Sequence, residues 1–152
     1  MRDLVEVLFY TYPSWSHLVV RLGLGIVFFA HGAQKTFGWF GGRGLSATVA
    51  GFRQMNIPPA AATLAALVEC LGGLALIVGF LARPSALGLI AVMLVAIVKV
   101  HARHGFFINF AQTPGKGHGF EFNLALIVMA LSILIGGAGA LSIDRLIAPL
   151  GE

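Results

Sequence analysis

From Trp15 to Phe37 the chain reads WSHLVVRLGLGIVFFAHGAQKTF, an apolar stretch interrupted by Arg21, His31, Gln34 and Lys35. As a helix rising about 1.5 Å per residue it reaches roughly 34 Å, enough to cross a hydrocarbon core of about 30 Å. His31, Gln34 and Lys35 stand at i, i+3 and i+4 and so share one helix face. Ionisable groups at membrane depth are costly and normally face protein or a wet cavity, which makes this face a candidate site. The plainer reading is that Lys35 snorkels to the interface while His31 makes a structural hydrogen bond.

Composition extends the same constraint to the whole chain. Of 152 residues, 58% are hydrophobic and only 11% are charged, and the mean hydropathy is +0.91, which is the profile of a polytopic membrane domain. A single transmembrane domain over residues 1–152 is expected. The net charge is +4, but the basic residues are scattered singly or in pairs, without the basic run that nucleic acid binding requires. Cys70 is the one cysteine, so an internal disulfide, a CxxC redox pair, a CxxCH haem attachment and a thiolate zinc cage are excluded. A redox role would need a bound cofactor or a partner.

In chain order, Leu4 to Tyr12 reads as a short interfacial segment, with Tyr10, Tyr12 and Trp15 at headgroup level. The first fourteen residues lack the pattern of a cleaved signal peptide. Ser14 is placed to cap the first span. The glycine-rich connector from Gly38 to Ile57 is too broken to cross the membrane. Within it, Leu45 to Met55 suits a short amphipathic helix, and the connector is expected to fold over one end of the bundle as a lid. A second span follows from about residue 58 to 81, opened by Pro58 and Pro59. It is rich in alanine and glycine, which allow close helix approach. Glu69 lies near its middle, where an unpaired carboxylate is very costly; Cys70 reads as a small packing residue.

Ala82, Arg83 and Pro84 suggest a tight turn before a third span, residues 85–103, which ends with Lys99 and His101. A loop carrying His104, Asn109, Lys116, His118 and several phenylalanines leads to a fourth span, residues 119–137, with Glu121 and Asn123 in its first turn. A short interfacial helix, IDRLIAPL, closes the sequence with Ser142 as its cap and Asp144 at its start. The expected fold is all-α: a four-transmembrane-helix, up-down-up-down bundle with a short amphipathic loop helix and a short C-terminal interfacial helix. In that topology both chain ends lie on one side of the membrane.

Helix arithmetic then brings the polar groups together. His31, Lys35, Lys99, His101 and Glu121 fall in the half of the membrane that faces the long loops, with Glu69 near the midplane. Independently snorkelling residues would populate both halves, so this one-sided distribution suggests a cavity with Glu69 at its floor. Glu69 is expected to pair with a cation. Arg21, His31 and Lys99 are the candidates, Arg21 first for its bidentate fork.

The sequence resembles the DoxX family of membrane proteins. The likeness runs through RLGLGIVFFAHGAQKTFGWFGGRGL, LAALVECLGGLALIVGFLARPSAL, VHARHGFF and GFEFNLALIVMALSILIGGAGALSIDRLI, in that order, and covers the chain from about Val19 to Ile147. It implies a four-helix fold in a bacterial or archaeal cytoplasmic (inner) membrane, and a likeness to the DoxD-type subunit of thiosulfate:quinone oxidoreductases. The family also includes proteins thought to act as membrane partners of separate redox enzymes.

Two function classes follow. In the first, the chain is an integral membrane subunit of a quinone-dependent oxidoreductase. Its polar cavity receives a quinone headgroup or a small anionic reductant such as thiosulfate. His31, His101, Glu69 and Glu121 are then the acid–base candidates, and Gln34, Lys35, Lys99, Asn123 and Arg21 the contacts to cofactor or anion. In the second, it is a non-catalytic scaffold that recruits a redox or other partner protein. Neither haem nor metal is expected: His31 and His101 as haem ligands would need to face each other at one depth, and His101, His104, His118 and Glu121 lack a zinc-specific spacing. Partners beyond the lipid bilayer would be another protein subunit and a second copy of the chain.

Overall fold

The computed structural model describes residues 2–148 and is helical throughout, with no strand among the described residues. Among the described residues seven α-helices follow one another: α1 (Arg2–Phe9), α2 (Trp15–Thr36), α3 (Gly44–Gln54), α4 (Pro59–Val78), α5 (Ala82–Ala96), α6 (Glu121–Gly136) and α7 (Ile143–Ile147). The α5 helix continues as a π-helical stretch, Ile97–His101, and a 3-10 turn, Ala102–His104. Three segments, Trp15–Thr36, Pro59–Val78 and Ala82–His104, are long and apolar enough to span a membrane, and α6 is a shorter apolar helix. The core between them is built from Leu24, Phe28, Leu76, Leu89, Met93, Leu126 and Ile133.

Local chemistry sets most of these boundaries. Ser14 caps α2 by accepting a hydrogen bond from the His17 amide, and Pro59 opens α4, where a missing N–H loses nothing. Gly79, at φ 72°, ends α4 in the left-handed conformation. The turn between α4 and α5 therefore falls at Gly79–Leu81, three residues earlier than the sequence suggests. Ala82, Arg83 and Pro84 already belong to α5, because proline is tolerated in a first helical turn. The terminal helix covers Ile143–Ile147; its expected continuation to Leu150 lies outside the described residues.

The closest helix pair is α2 against α4. A Cβ on Gly32 would collide with the backbone nitrogen of Cys70, and one on Gly73 with the backbone of Phe29. Backbones in such contact gain dispersion energy, the principal attraction between helices in an apolar solvent. The antiparallel register that results places Arg21 beside Leu76 and Ile77 at one end and Lys35 beside Glu69 nearer the other.

At the Arg21 end the chain is locked by polar groups. Arg21 is 1% exposed and donates to five carbonyls: Nε to Ala138 (2.9 Å), one terminal nitrogen to Leu76 (2.6 Å) and Ile77 (2.7 Å), and the other to Leu141 (3.1 Å) and Ala140 (3.4 Å). It satisfies the orphan carbonyls at the end of α4 together with those of the irregular segment after α6. The Asp144 carboxylate accepts from the amides of Leu81 (2.7 Å) and Ala82 (2.9 Å), at the start of α5. Burial pushes this carboxyl above its ordinary 3.8, opposed by those two hydrogen bonds and by the charges of Arg21 and Arg83. The Thr11 hydroxyl accepts from the Gly139 amide (2.6 Å), which fastens the entry to α2 onto the same end.

Candidate functional site

At the opposite end the helices enclose a cavity of about 830 Å³. Its walls are largely aliphatic: Val27 and Phe28 from α2, Ala65 and Val68 from α4, Val92 and Ala96 from α5, and Phe122 and Leu126 from α6. The connector completes it, with Phe52 from α3 and Met55 and Ile57 just after it. The expected lid is thus present as a packed helix. The Thr48 hydroxyl fixes it by donating to the carbonyl of Gly44 or Lys35 (2.9 and 3.2 Å), a bridge between α3 and the end of α2. Trp39 and Phe40, at the start of the connector, stay exposed, as suits an interfacial aromatic pair.

Polar groups also line it: His31 and Lys35 from α2, Glu69 from α4, Lys99 and His101 from the π-helical stretch, His118 from the following loop and Asn123 from α6. Glu69 is 2% exposed and both its oxygens accept from the Lys35 ammonium, whose side chain is 29% exposed. The cation expected to balance Glu69 is therefore Lys35 and not Arg21. The helix register is the reason. Arg21 lies opposite Ile77, about eight residues or 12 Å from Glu69 along α4, and all five of its donors are engaged by carbonyls there.

The other candidates divide between the cavity and its supports. Asn123 is buried in the wall with Nδ2 3.4 Å from the sulfur of Met93. His101 Nδ1 lies 2.9 Å from the His118 carbonyl oxygen. A carbonyl only accepts, so Nδ1 carries a proton and Nε2 is the nitrogen left for other chemistry. His31 and Lys99 line the cavity without a side-chain hydrogen bond among the described residues. Gln34, Glu121 and Arg21 stand outside it. Gln34 donates to the Phe40 carbonyl (3.0 Å) and holds the connector. Glu121 accepts from the Ile108 amide (2.8 Å) and holds the loop before α6.

Sequence reasoning did not single out Phe52, Met55 or Ile57 as site residues, and weighed His118 only as a zinc ligand. The first three come from a connector whose docking is tertiary, and His118 enters only through the return of its loop. The π-helical widening also left no legible signal, although such bulges recur at functional sites. The four side chains weighed as zinc ligands are not gathered: among the described residues no three His, Cys, Asp or Glu groups are placed to hold a metal ion. His104 instead accepts from the Gly117 amide through Nδ1 (3.3 Å).

Comparison with known proteins places this architecture in a lineage. The chain is 30% identical over 148 residues to an uncharacterized membrane protein of Mycobacterium tuberculosis, a match covering 88% of each chain. No solved structure matches it significantly. The DoxX family model matches residues 16–102, from the first turn of α2 through the π-helical stretch that carries Lys99 and His101. With more than half its length matched, and with a relative aligned almost end to end, this chain belongs to the DoxX family.

Proposed function

We propose that the chain is the integral membrane subunit of a quinone-linked redox system, embedded in a cytoplasmic (inner) membrane, with its cavity as the site of a quinone headgroup. The observation that carries this reading is a largely apolar chamber of about 830 Å³ whose lining also carries His31, Lys35, Glu69, Lys99, His101 and Asn123. That volume lies within the range of pockets that take small organic ligands. Quinone oxygens need hydrogen-bond donors and the attached chain needs an apolar wall; the residues present supply both.

In this reading a bound quinone supplies the two-electron chemistry. Lys99 presents an ammonium donor with no side-chain partner among the described residues. His101, held by the His118 carbonyl, presents Nε2 as a proton acceptor, and His31 adds a second imidazole able to accept or return a proton. Lys35 keeps the Glu69 charge balanced while retaining a further N–H. Electrons would come from a partner subunit, since the one cysteine is buried in α4. A small anion such as thiosulfate would be drawn by the same two lysines.

The proposal includes an up-down-up-down bundle in which α6 is the fourth span. Its 16 residues reach only about 24 Å. The irregular chain after it is tolerable at membrane depth because Arg21 satisfies the carbonyls of Ala138, Ala140 and Leu141. A non-catalytic scaffold is the competing reading, favoured by the engagement of both Glu69 oxygens with Lys35. Titration of the purified full chain with decylubiquinone separates the two. Stoichiometric binding lost in His31→Ala and His101→Ala, with elution of the folded protein unchanged, supports the redox subunit. Absence of binding in the wild type leaves the scaffold.

A further inference from the structure

The cavity is not closed evenly. Near their connecting turn α4 and α5 pack tightly, with Gly72 against the Leu89 side chain (3.5 Å for an added Cβ) and Gly88 against Val68 (3.1 Å). Beyond that crossing the same two helices line the chamber with Ala61 and Leu64 on one side and Ala91 and Val95 on the other. All four are exposed on the outer surface, Leu64 by 62% and Val95 by 50%. A residue that both lines a cavity and faces outward marks its rim. This rim runs about 5 Å along α4, from Ala61 to Leu64, and about 6 Å along α5, from Ala91 to Val95, and ends at the Val68–Gly88 contact.

Between α4 and α5 the exposed lining side chains Ala61, Leu64, Ala91 and Val95 are all aliphatic, so this side of the chamber presents to acyl chains; the other exposed lining residues, His31, Lys99, His118 and Phe122, belong to α2, the π-helical stretch, the following loop and α6. Toward the loops Phe52 and Met55 from the docked connector also line the chamber. We propose that the cavity is entered sideways from the bilayer through this slot between α4 and α5, and that its ligand is a membrane-dissolved quinone whose alkyl or prenyl tail stays in the slot. The polar head then lies inward at Lys99, His31 and His101. A water-borne reductant is not the ligand of this route. The inference rests on the quinone reading for the identity of the occupant, and on the rim geometry alone for the route.

Two measurements on the full chain in nanodiscs separate these elements. In a Cys70→Ala background, Leu64→Cys and Val95→Cys are labelled with bimane, and quenching by brominated acyl chains is compared with quenching by aqueous iodide. Strong bromolipid and weak iodide quenching is expected at both positions. The reverse pattern overturns the slot whatever the ligand. Association of decylubiquinone is then followed in the wild type, in the rim variants Ala91→Trp and Val95→Trp, and in Val98→Trp, which is outward-facing but not part of the lining. The rim variants are expected to slow association on the order of tenfold, as a narrowed entry does, while Val98→Trp leaves it unchanged. Unaltered association in both rim variants, with the wild type binding normally, refutes the lateral route. If the wild type takes up no decylubiquinone, the quinone reading falls, and with it the proposed occupant, while the quenching pattern still decides the route.

Discussion

Removing either partner of the Lys35–Glu69 pair should not cost the same, and the difference follows from where each side chain stands. Glu69 is 2% exposed and has no other cation in contact among the described residues, whereas the Lys35 side chain is 29% exposed near the end of α2. Breaking a buried pair by removing one member costs about 3–5 kcal/mol, because the remaining charge is uncompensated. Lys35→Met leaves Glu69 in that position, and a loss of about 3–4 kcal/mol is expected. Glu69→Gln instead leaves an ammonium on a flexible stem that can snorkel toward the loop-side interface, so a loss of about 1–2 kcal/mol is expected. Replacing both, as Lys35→Met with Glu69→Leu, removes both charges and should recover most of the stability, since buried pairs are often matched by apolar residues of similar size. Reversible unfolding of the four proteins in mixed micelles measures this cycle. A Glu69→Gln loss equal to or larger than that of Lys35→Met, or a double variant no better than Lys35→Met, would refute the argument that Lys35 is what makes the Glu69 carboxylate tolerable.

Arg21→Lys should lower stability by about 3 kcal/mol or more, since an ammonium replaces at most three of five donor contacts and leaves buried carbonyls unpaired; thermal unfolding in detergent reads this, and a neutral result would show that water can serve those carbonyls. Gly32→Leu should separate α2 from α4 and prevent recovery of monodisperse protein, whereas Gly51→Ala, with open space around its Cα, should be tolerated; size-exclusion profiles distinguish them. Asp144→Asn tests the other end of the bundle through pH. Because burial raises this carboxyl in the folded state, the fold holds its proton more tightly than the unfolded chain does. Its contribution is full below the ordinary 3.8 and is lost as pH rises through the raised folded value. The stability of the wild type relative to Asp144→Asn should therefore fall with rising pH over that window in unfolding experiments, and a rise would contradict desolvation as the dominant cause.

The sequence by itself determined what depends on runs of neighbouring residues. Apolar length identified the three helices long enough to span a membrane, Ser14 and Pro59 marked helix starts, and the spread of His31, Lys35, Lys99 and Glu69 along those helices pointed to polar groups that line one cavity. Those properties are one-dimensional: hydrophobic length, capping chemistry and rise per residue survive any arrangement of the helices. The choice of partners did not. Arg21 was the better fork for Glu69 on chemistry alone, yet backbone contact at Gly32 and Gly73 fixes the α2–α4 register so that Lys35 meets Glu69, while Arg21 meets carbonyls from α4 and from the chain after α6. Glu121 and Gln34 turned from the cavity to hold loops for the same kind of reason, since a nearby unsatisfied amide or carbonyl captures a side chain that periodicity alone would aim inward. The docking of α3 and the joint lining of the chamber by α4 and α5 arise from contacts between residues distant in the chain and could be decided only by tertiary packing.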